Sequence, residues 1–345
     1  MTIAQLLNTA ERKLANSASP RLDAEVLLAH VLKVPRSTLL AQIKTDLSLC
    51  HFSIRADRKM TRKFIGPRTL AKLRFKWLAW QRKRGVPVAY LTHHKEFYGR
   101  SFFMNKSVLI PRPETEVLTE CVIRSIRANR AITRAVDVGT GSGCIAVTLA
   151  CELPHLKVVA TDISKAALRV AQKNSAHHGV ADRITFLHGN LLEPLIATGN
   201  PVEARGPRGF TSSPLANSLR IANLPYLLSE EITQPSTLMS FPRKRESRKN
   251  TYRTVLDSPS GRGMTNDLRF EPQTALVGGS DGLKFYRELA EQLLALPSNN
   301  RPRAILLELH PPTALEVQKI FSPLGTCEII NDTASLPRVL TITTA

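Results

Sequence analysis

The stretch Ala135-Val136-Asp137-Val138-Gly139-Thr140-Gly141-Ser142-Gly143-Cys144-Ile145-Ala146-Val147 leaves the chain few choices of fold. Val136 and Val138 favour a short buried strand, and Ile145, Val147 and Leu149 begin an apolar helical run, so a glycine-rich turn joins a strand to a helix start. Glycines at positions 139, 141 and 143 let the backbone pass close to a ligand. The helix start behind them offers unpaired N–H groups and a positive dipole end. Strand-like runs at 157–161, 183–187, 219–222, 304–309 and 339–342 alternate with helical periodicity at 164–177, 285–296 and 313–321. That alternation predicts an α/β fold, a parallel, doubly wound sheet with ligands at the carboxyl ends of its strands.

The loop restricts the ligand. A dinucleotide fingerprint needs a third glycine where Cys144 stands. Asp137, two residues before the first glycine, suits a ligand with a cationic amino-acid end, held directly or through water. Asp162 closes the strand Val158-Val159-Ala160-Thr161, where a ribose-binding carboxylate is expected. S-adenosylmethionine has both groups, and the expected cofactor residues are Asp137, Gly139, Thr140, Gly141, Ser142, Gly143 and Asp162. The competing reading is a tight turn with a helix-capping aspartate. Farther on, the Asn190 amide is placed to bond an adenine edge, against the plainer reading of a turn asparagine.

The strand Leu219-Arg220-Ile221-Ala222 delivers Asn223-Leu224-Pro225-Tyr226. A planar amide nitrogen is a poor nucleophile because its lone pair is delocalised. Two acceptors, the Asn223 side-chain oxygen and the Leu224 carbonyl, can bind both N–H groups of such an NH2 and favour a tetrahedral, positively charged nitrogen as a methyl group arrives. Pro225 restrains the loop, and the Tyr226 ring can stack on the substrate and face the developing cation. No strong base is needed before transfer.

The net charge of +20 raises a nucleic-acid reading, but nine of those charges sit in two segments resembling insertions, about 49–68 (net +5) and 235–267 (net +4). The second is poor in apolar periodicity and is expected to be disordered. The five cysteines, at 50, 121, 144, 151 and 327, have neither zinc-site nor disulfide-framework spacing and fit a reducing cytoplasm. No apolar run reaches the ~18 residues of a membrane span. Residues 1–45 read as short helices, and helical character returns from Thr69 to Arg84, with Trp77 and Trp80 read as packing residues. Val86–Phe103 reads as strand, with a hairpin at Glu96-Phe97-Tyr98-Gly99-Arg100. Ile110-Pro111-Arg112-Pro113-Glu114-Thr115-Glu116 reads equally as a stiff linker or as pocket-lining backbone.

These blocks carry a resemblance. Ser19-Pro20-Arg21-Leu22-Asp23-Ala24-Glu25-Val26-Leu27-Leu28, Glu96-Phe97-Tyr98-Gly99, the Ile-Pro-Arg-Pro-Glu-Thr-Glu block, the glycine loop, Phe270-Glu271-Pro272 and Asp281-Gly282-Leu283 together resemble the release factor glutamine methyltransferases. The resemblance implies a helical substrate-recognition domain (1–85), a β-hairpin linker (86–107) and a Rossmann-like methyltransferase domain (108–345). It implies S-adenosylmethionine as cofactor, bound by Gly139–Gly143, Asp162, Asn190, Leu191 and Asn223. The implied substrate is the glutamine of the Gly-Gly-Gln motif in peptide chain release factors, received at Asn223, Leu224, Pro225 and Tyr226. A cytoplasmic monomer needing neither membrane, metal nor nucleic acid is expected. Leu224 stands where the family has proline, and Asn190 where it has aspartate. Asn-Leu-Pro-Tyr also resembles ribosomal RNA adenine dimethyltransferases, which supplies one rival reading; a cofactor-binding protein inactivated by its insertions is another.

Overall fold

The computed structural model describes residues 1–47, 66–196, 218–227 and 267–344. The inserts and the loop at 197–216 fall outside these residues, apart from their edges: Gly66, Pro67 and Arg68 lead into a helix, and Asp267 precedes a short turn. The described residues form two compact units, one of residues 1–93 with 267–270, the other of the remainder.

The first unit contains α1 (Ile3–Lys13), α2 (Pro20–Leu32), α3 (Arg36–Ala41), α4 (Pro67–Lys83) and α5 (Val88–Thr92). Thr2 and Gln5 close a capping box at the start of α1, which satisfies two N–H groups the helix cannot pair itself. Ile3, Leu6 and Leu7 of α1 and Leu27, Leu28 and Val31 of α2 are buried. Arg82 is buried too, donating to Asp23 at 2.6 Å and Asp267 at 2.7 Å. Two expectations fail here. Residues 88–92 are helical because Pro87 caps a turn, accepting from Tyr90 and Leu91 N–H, and four consecutive residues are buried where a strand would alternate. The first compact unit runs to His93. Trp77 and Trp80 lie at the surface, 54% and 50% exposed, while Phe75, Leu78 and Ala79 take the core positions.

The second unit opens with a hairpin, β1 (His94–Phe97) and β2 (Arg100–Phe103), turned by Tyr98 and Gly99 at φ +50° and +68°. Two successive positive φ values match the right-handed twist of the strands. Then follow α6 (Pro113–Ala128), β3 (Arg134–Val138), α7 (Cys144–Glu152), β4 (Lys157–Asp162), α8 (Lys165–His177), β5 (Ile184–His188), α9 (Glu193–Ile196) and β6 (Ser218–Ala222). The chain ends with α10 (Lys284–Leu294), β7 (Ala304–Glu308), α11 (Ala314–Phe321), β8 (Gly325–Asn331) and β9 (Pro337–Thr344). The Rossmann-like sheet has the order β5-β4-β3-β6-β7-β9-β8. It is parallel from β5 to β7, whereas β9 is antiparallel to both its neighbours, so the sheet is mixed where the sequence predicts a parallel one. The strand order reverses between β3 and β6, which places Gly139 and Asn223, each directly following its strand, side by side at the switch point.

One residue of the sheet opposes its surroundings. Arg220 on β6 is 1% exposed and lies between Val136 and Ile305 in register. Its Nη1 donates to Ser218 Oγ at 2.6 Å, while Nε and Nη2 have no partner. Among the described residues no helix is long and apolar enough to cross a membrane.

Candidate active site

The glycine loop owes its shape to backbone angles that side chains rarely adopt. Gly139, Gly141 and Gly143 have φ of +72°, +56° and +79°. Gly143 is also fixed by packing, since a Cβ there would lie 2.9 Å from the Ala171 Cβ on α8. Among the described residues, a Cβ on Gly139 or Gly141 would meet nothing closer than a backbone oxygen at 3.9 Å, an ordinary contact, so it is the backbone angle and not packing that calls for glycine at these two positions. Gly139 and Thr140 N–H both donate to the Thr161 carbonyl, tying the loop to β4.

Asp137 is buried, and its Oδ2 accepts from Thr140 Oγ1 at 2.7 Å and Ala146 N at 3.2 Å. It thus ties the loop to the first turn of α7, the capping role foreseen as its alternative. Burial pushes its carboxyl up to about 6. Asp162 at the end of β4 accepts from Gly141 N at 2.9 Å and Ser164 N at 2.8 Å, and burial raises its carboxyl above the usual carboxylate value. The buried Ser142 presents its carbonyl to Asn174 Nδ2 at 2.8 Å; Asn174 also brackets the Phe103 backbone, so it joins loop, α8 and hairpin. Asn190 follows β5, and its amide donates to Glu193 at 3.2 Å, the behaviour of a turn asparagine. Leu191 has φ +48° and packs into the core.

Asn223 lies against the first glycine: a Cβ on Gly139 would be 3.9 Å from the Asn223 carbonyl oxygen. Its Nδ2 donates to Thr115 Oγ1 on α6 at 3.1 Å. Leu224 is buried within the apolar cluster under β3, β6 and β7, so packing holds the position where the family has proline. Residues 225–227 are clamped by the segment after Pro272: Leu227 exchanges backbone hydrogen bonds with Leu276 and Gly278, and a Cβ on Gly278 would strike the Pro225 carbonyl at 2.6 Å. The Tyr226 ring stacks on His310, centroids 4.8 Å apart and ring planes nearly parallel. Burial raises the Tyr226 hydroxyl and lowers His310 to about 4, so both rings are neutral near pH 7.

The proline-rich block is the clasp of this site and not a linker. Arg112 donates to the buried Glu271 at 2.5 Å, and Glu271 also accepts from Ile110 N at 3.0 Å. Glu116 accepts from Tyr98 N at 2.9 Å, and Glu120 accepts from the Tyr98 hydroxyl. Sequence reasoning quotes Thr115 without a part in binding and assigns none to His310 or Gly278.

Comparison with known proteins gives the family. Residues 5–51 match the family described as PrmC N-terminal domain, and residues 113–199 match the Methyltransferase small domain. The release factor glutamine methyltransferase of Nitratidesulfovibrio vulgaris is 32% identical over 98% of this chain and 94% of its own. Those of Moorella thermoacetica (36% identical; 84% of this chain, 79% of its own) and Bacillus subtilis (33%; 85% and 80%) are similar over most of their lengths.

Proposed function

We propose one reaction for this chain, which belongs to the release factor glutamine methyltransferase family: it methylates the side-chain amide nitrogen of the glutamine in the Gly-Gly-Gln motif of peptide chain release factors. The observation that carries this reading is the juxtaposition of Asn223, its amide held by Thr115, with the glycine loop at the switch point of the sheet.

S-adenosylmethionine fits the residues present. No described residue would crowd a Cβ on Gly139 or Gly141 closer than ordinary contact, and Asp162 closes the neighbouring strand at the same edge of the sheet. The residues that would hold the cofactor are Gly139, Thr140, Gly141, Ser142, Gly143, Asp162, Leu191 and Asn223, with Asp137 shaping the loop and Asn190 at the next turn. When bound, it supplies an electrophilic methyl group. The chain's own residues prepare the acceptor: Asn223 Oδ1 and the Leu224 carbonyl receive the two N–H groups of the glutamine amide and favour positive charge on its nitrogen. Tyr226, backed by the neutral His310 ring, offers its face to that charge. Alignment of acceptor and donor is worth ~7–11 kcal/mol at best, so most of the catalysis is positional. A release factor is the partner, the helical unit its docking element, and the cytoplasm the compartment in which the two meet.

Mass spectrometry of the Gly-Gly-Gln peptide, after a purified release factor is incubated with this protein and S-adenosylmethionine, tests the reading. One added methyl on that glutamine, lost in Asn223→Ala, is the expected result. An unmodified peptide in the presence of bound cofactor would refute it.

A further inference from the structure

The helical unit leaves apolar surface in water along one line. Leu73, Trp77 and Trp80 on α4 stand half in solvent, and their spacing of four and three residues puts them on one face of the helix. Ala71, Phe75, Leu78 and Ala79 are buried on the opposite face, so α4 is anchored in its unit by its other side. Scattered exposed apolar residues are ordinary, but a contiguous row that includes two tryptophans is what a partner covers. Trp77 and Trp80 are the only tryptophans in the chain.

The charges around the row narrow the partner. Arg74 flanks it on one side and Lys76 and Lys83 on the other, all exposed, and Arg84 continues the line past the helix end, its guanidinium 4.7 Å from the centre of the Trp80 ring. The helix contains no acid. Among the described residues its ion pairs are those of the buried Arg82 with Asp23 and Asp267, on the inner side. The complement of such a face is an apolar cleft rimmed by carboxylates. A second copy would set the same cations against one another, in a chain whose net charge is +20. A nucleic acid would bring negative charge, but base stacking needs free ring faces, and Arg84 already covers one face of Trp80. Side chains three and four residues apart form a ridge, and a ridge seats in the groove of a folded protein.

We propose that this face of α4 docks the release factor itself, at an acidic, apolar-centred cleft separate from its Gly-Gly-Gln motif. The proposal rests on the reaction given above and names the surface that selects its protein substrate. The motif is received at Asn223–Tyr226 in the second unit, whereas α4 belongs to the first, so the two contacts are made by different parts of the substrate. Tryptophan and arginine are the residue types on which binding energy concentrates in protein interfaces. Trp77 and Trp80 are therefore the anchors, and the flanking cations govern the rate of encounter. Because α4 takes no part in methyl transfer, this contact tightens substrate and transition state equally and leaves the chemical step alone.

Steady-state methylation of an intact release factor by wild type, Trp77→Ala, Trp80→Ala and Lys76→Glu tests the proposal. Each tryptophan variant should raise KM roughly ten- to thirtyfold with kcat changed less than about twofold, the loss of one anchor residue. Lys76→Glu should raise KM about three- to tenfold at low ionic strength and less at high, because the flanking charge is screened. Unchanged KM in both tryptophan variants, or a loss that falls on kcat instead, would overturn the proposal. An independent readout needs no turnover. With 5-fluorotryptophan in this protein, the fluorine resonances come from Trp77 and Trp80 alone, assigned by their loss in the single variants. Both should be solvent-exposed in the free protein and shift when unlabelled release factor is added. Resonances already protected in the free protein would mean that this chain or a second copy covers the face. A shift with single-stranded RNA or with phosphatidylserine vesicles, but not with release factor, would assign it to those. Either result would overturn the proposal. A release factor that shifts both resonances without being methylated would refute the proposed reaction and leave the docking face standing. Methylation with unmoved resonances and unchanged KM in the variants would do the reverse.

Discussion

Replacing Arg220 with methionine should make this protein more stable. The guanidinium lies in the middle of β6, 1% exposed, with Val136 and Ile305 opposite it and two of its three nitrogens unpartnered. Burial pushes it down from 12.5 to about 9, so it is still charged at neutral pH, and at ~1.4 kcal/mol per pKa unit the buried charge costs about 4–5 kcal/mol. Methionine gives up the bond to Ser218, about 1 kcal/mol, and fits a cavity shaped for another side chain at a cost of about 1 kcal/mol. The net gain is about 2–3 kcal/mol, in line with replacements of buried charges by apolar residues. For a unit of this size that is roughly 5–10 °C in Tm. Calorimetry at neutral pH is the assay, with Arg220→Lys as the control that keeps the charge and should gain nothing. A Tm for Arg220→Met at or below that of wild type would show that the cation is compensated, and the reasoning from unpartnered nitrogens would fail.

Three further outcomes follow from the same geometry. Asp137 is raised from 3.8 to about 6, so the folded state holds its proton more tightly than the unfolded chain does; ionising it costs about 3 kcal/mol, fully present above about pH 6 and absent below about pH 4. Asp137→Asn keeps an acceptor for Thr140 and Ala146 and should gain Tm on wild type as pH rises through that window; a difference constant with pH would count against the assignment. Gly278→Ala puts a Cβ 2.6 Å from the Pro225 carbonyl and 2.7 Å from that of Gly282, so the loop carrying Asn223 and Tyr226 must move, and kcat in the methylation assay should fall roughly 10- to 100-fold. Arg82→Ala leaves Asp23 buried without its cation and should cost the first unit about 3–5 kcal/mol. Both tryptophans lie on α4, so urea unfolding followed by their fluorescence reads that unit, and an unchanged midpoint would refute the prediction.

The alternation of strands and helices was legible because each central strand is an unbroken apolar run bounded by turn residues. β8 was not: every residue of Gly325–Asn331 is only half-buried or exposed, and such a strand has neither the apolar run nor the clean alternation that betrays one. Residues 88–92 misled for the opposite reason, since Val86, Val88 and Tyr90 alternate as a strand would while Pro87 starts a helical turn. The site divides in the same way. Its glycine loop and Asn223–Tyr226 are contiguous in sequence, and each can be read as a unit. Thr115 lies 108 residues from the amide it holds, a separation that no local pattern spans.

The proline-rich block shows why residue types alone left its role undecided. Pro113 occupies the first turn of α6, where its missing N–H costs nothing, and that is also what a linker entering a helix would contain. Its function appears only when the partners are assembled: Arg112 reaches Glu271, Thr115 reaches Asn223 and Glu116 reaches Tyr98 N–H, three contacts to three distant segments from five consecutive residues. A helix fixes the relative directions of such side chains, so the block sets the positions of the hairpin, the Asn223 loop and the 271–278 clamp against one another. Leu224 is compatible with this arrangement. The loop it belongs to is held from outside by Gly278 and from behind by Thr115, and its own burial among core residues supplies the restraint that a second proline would otherwise provide.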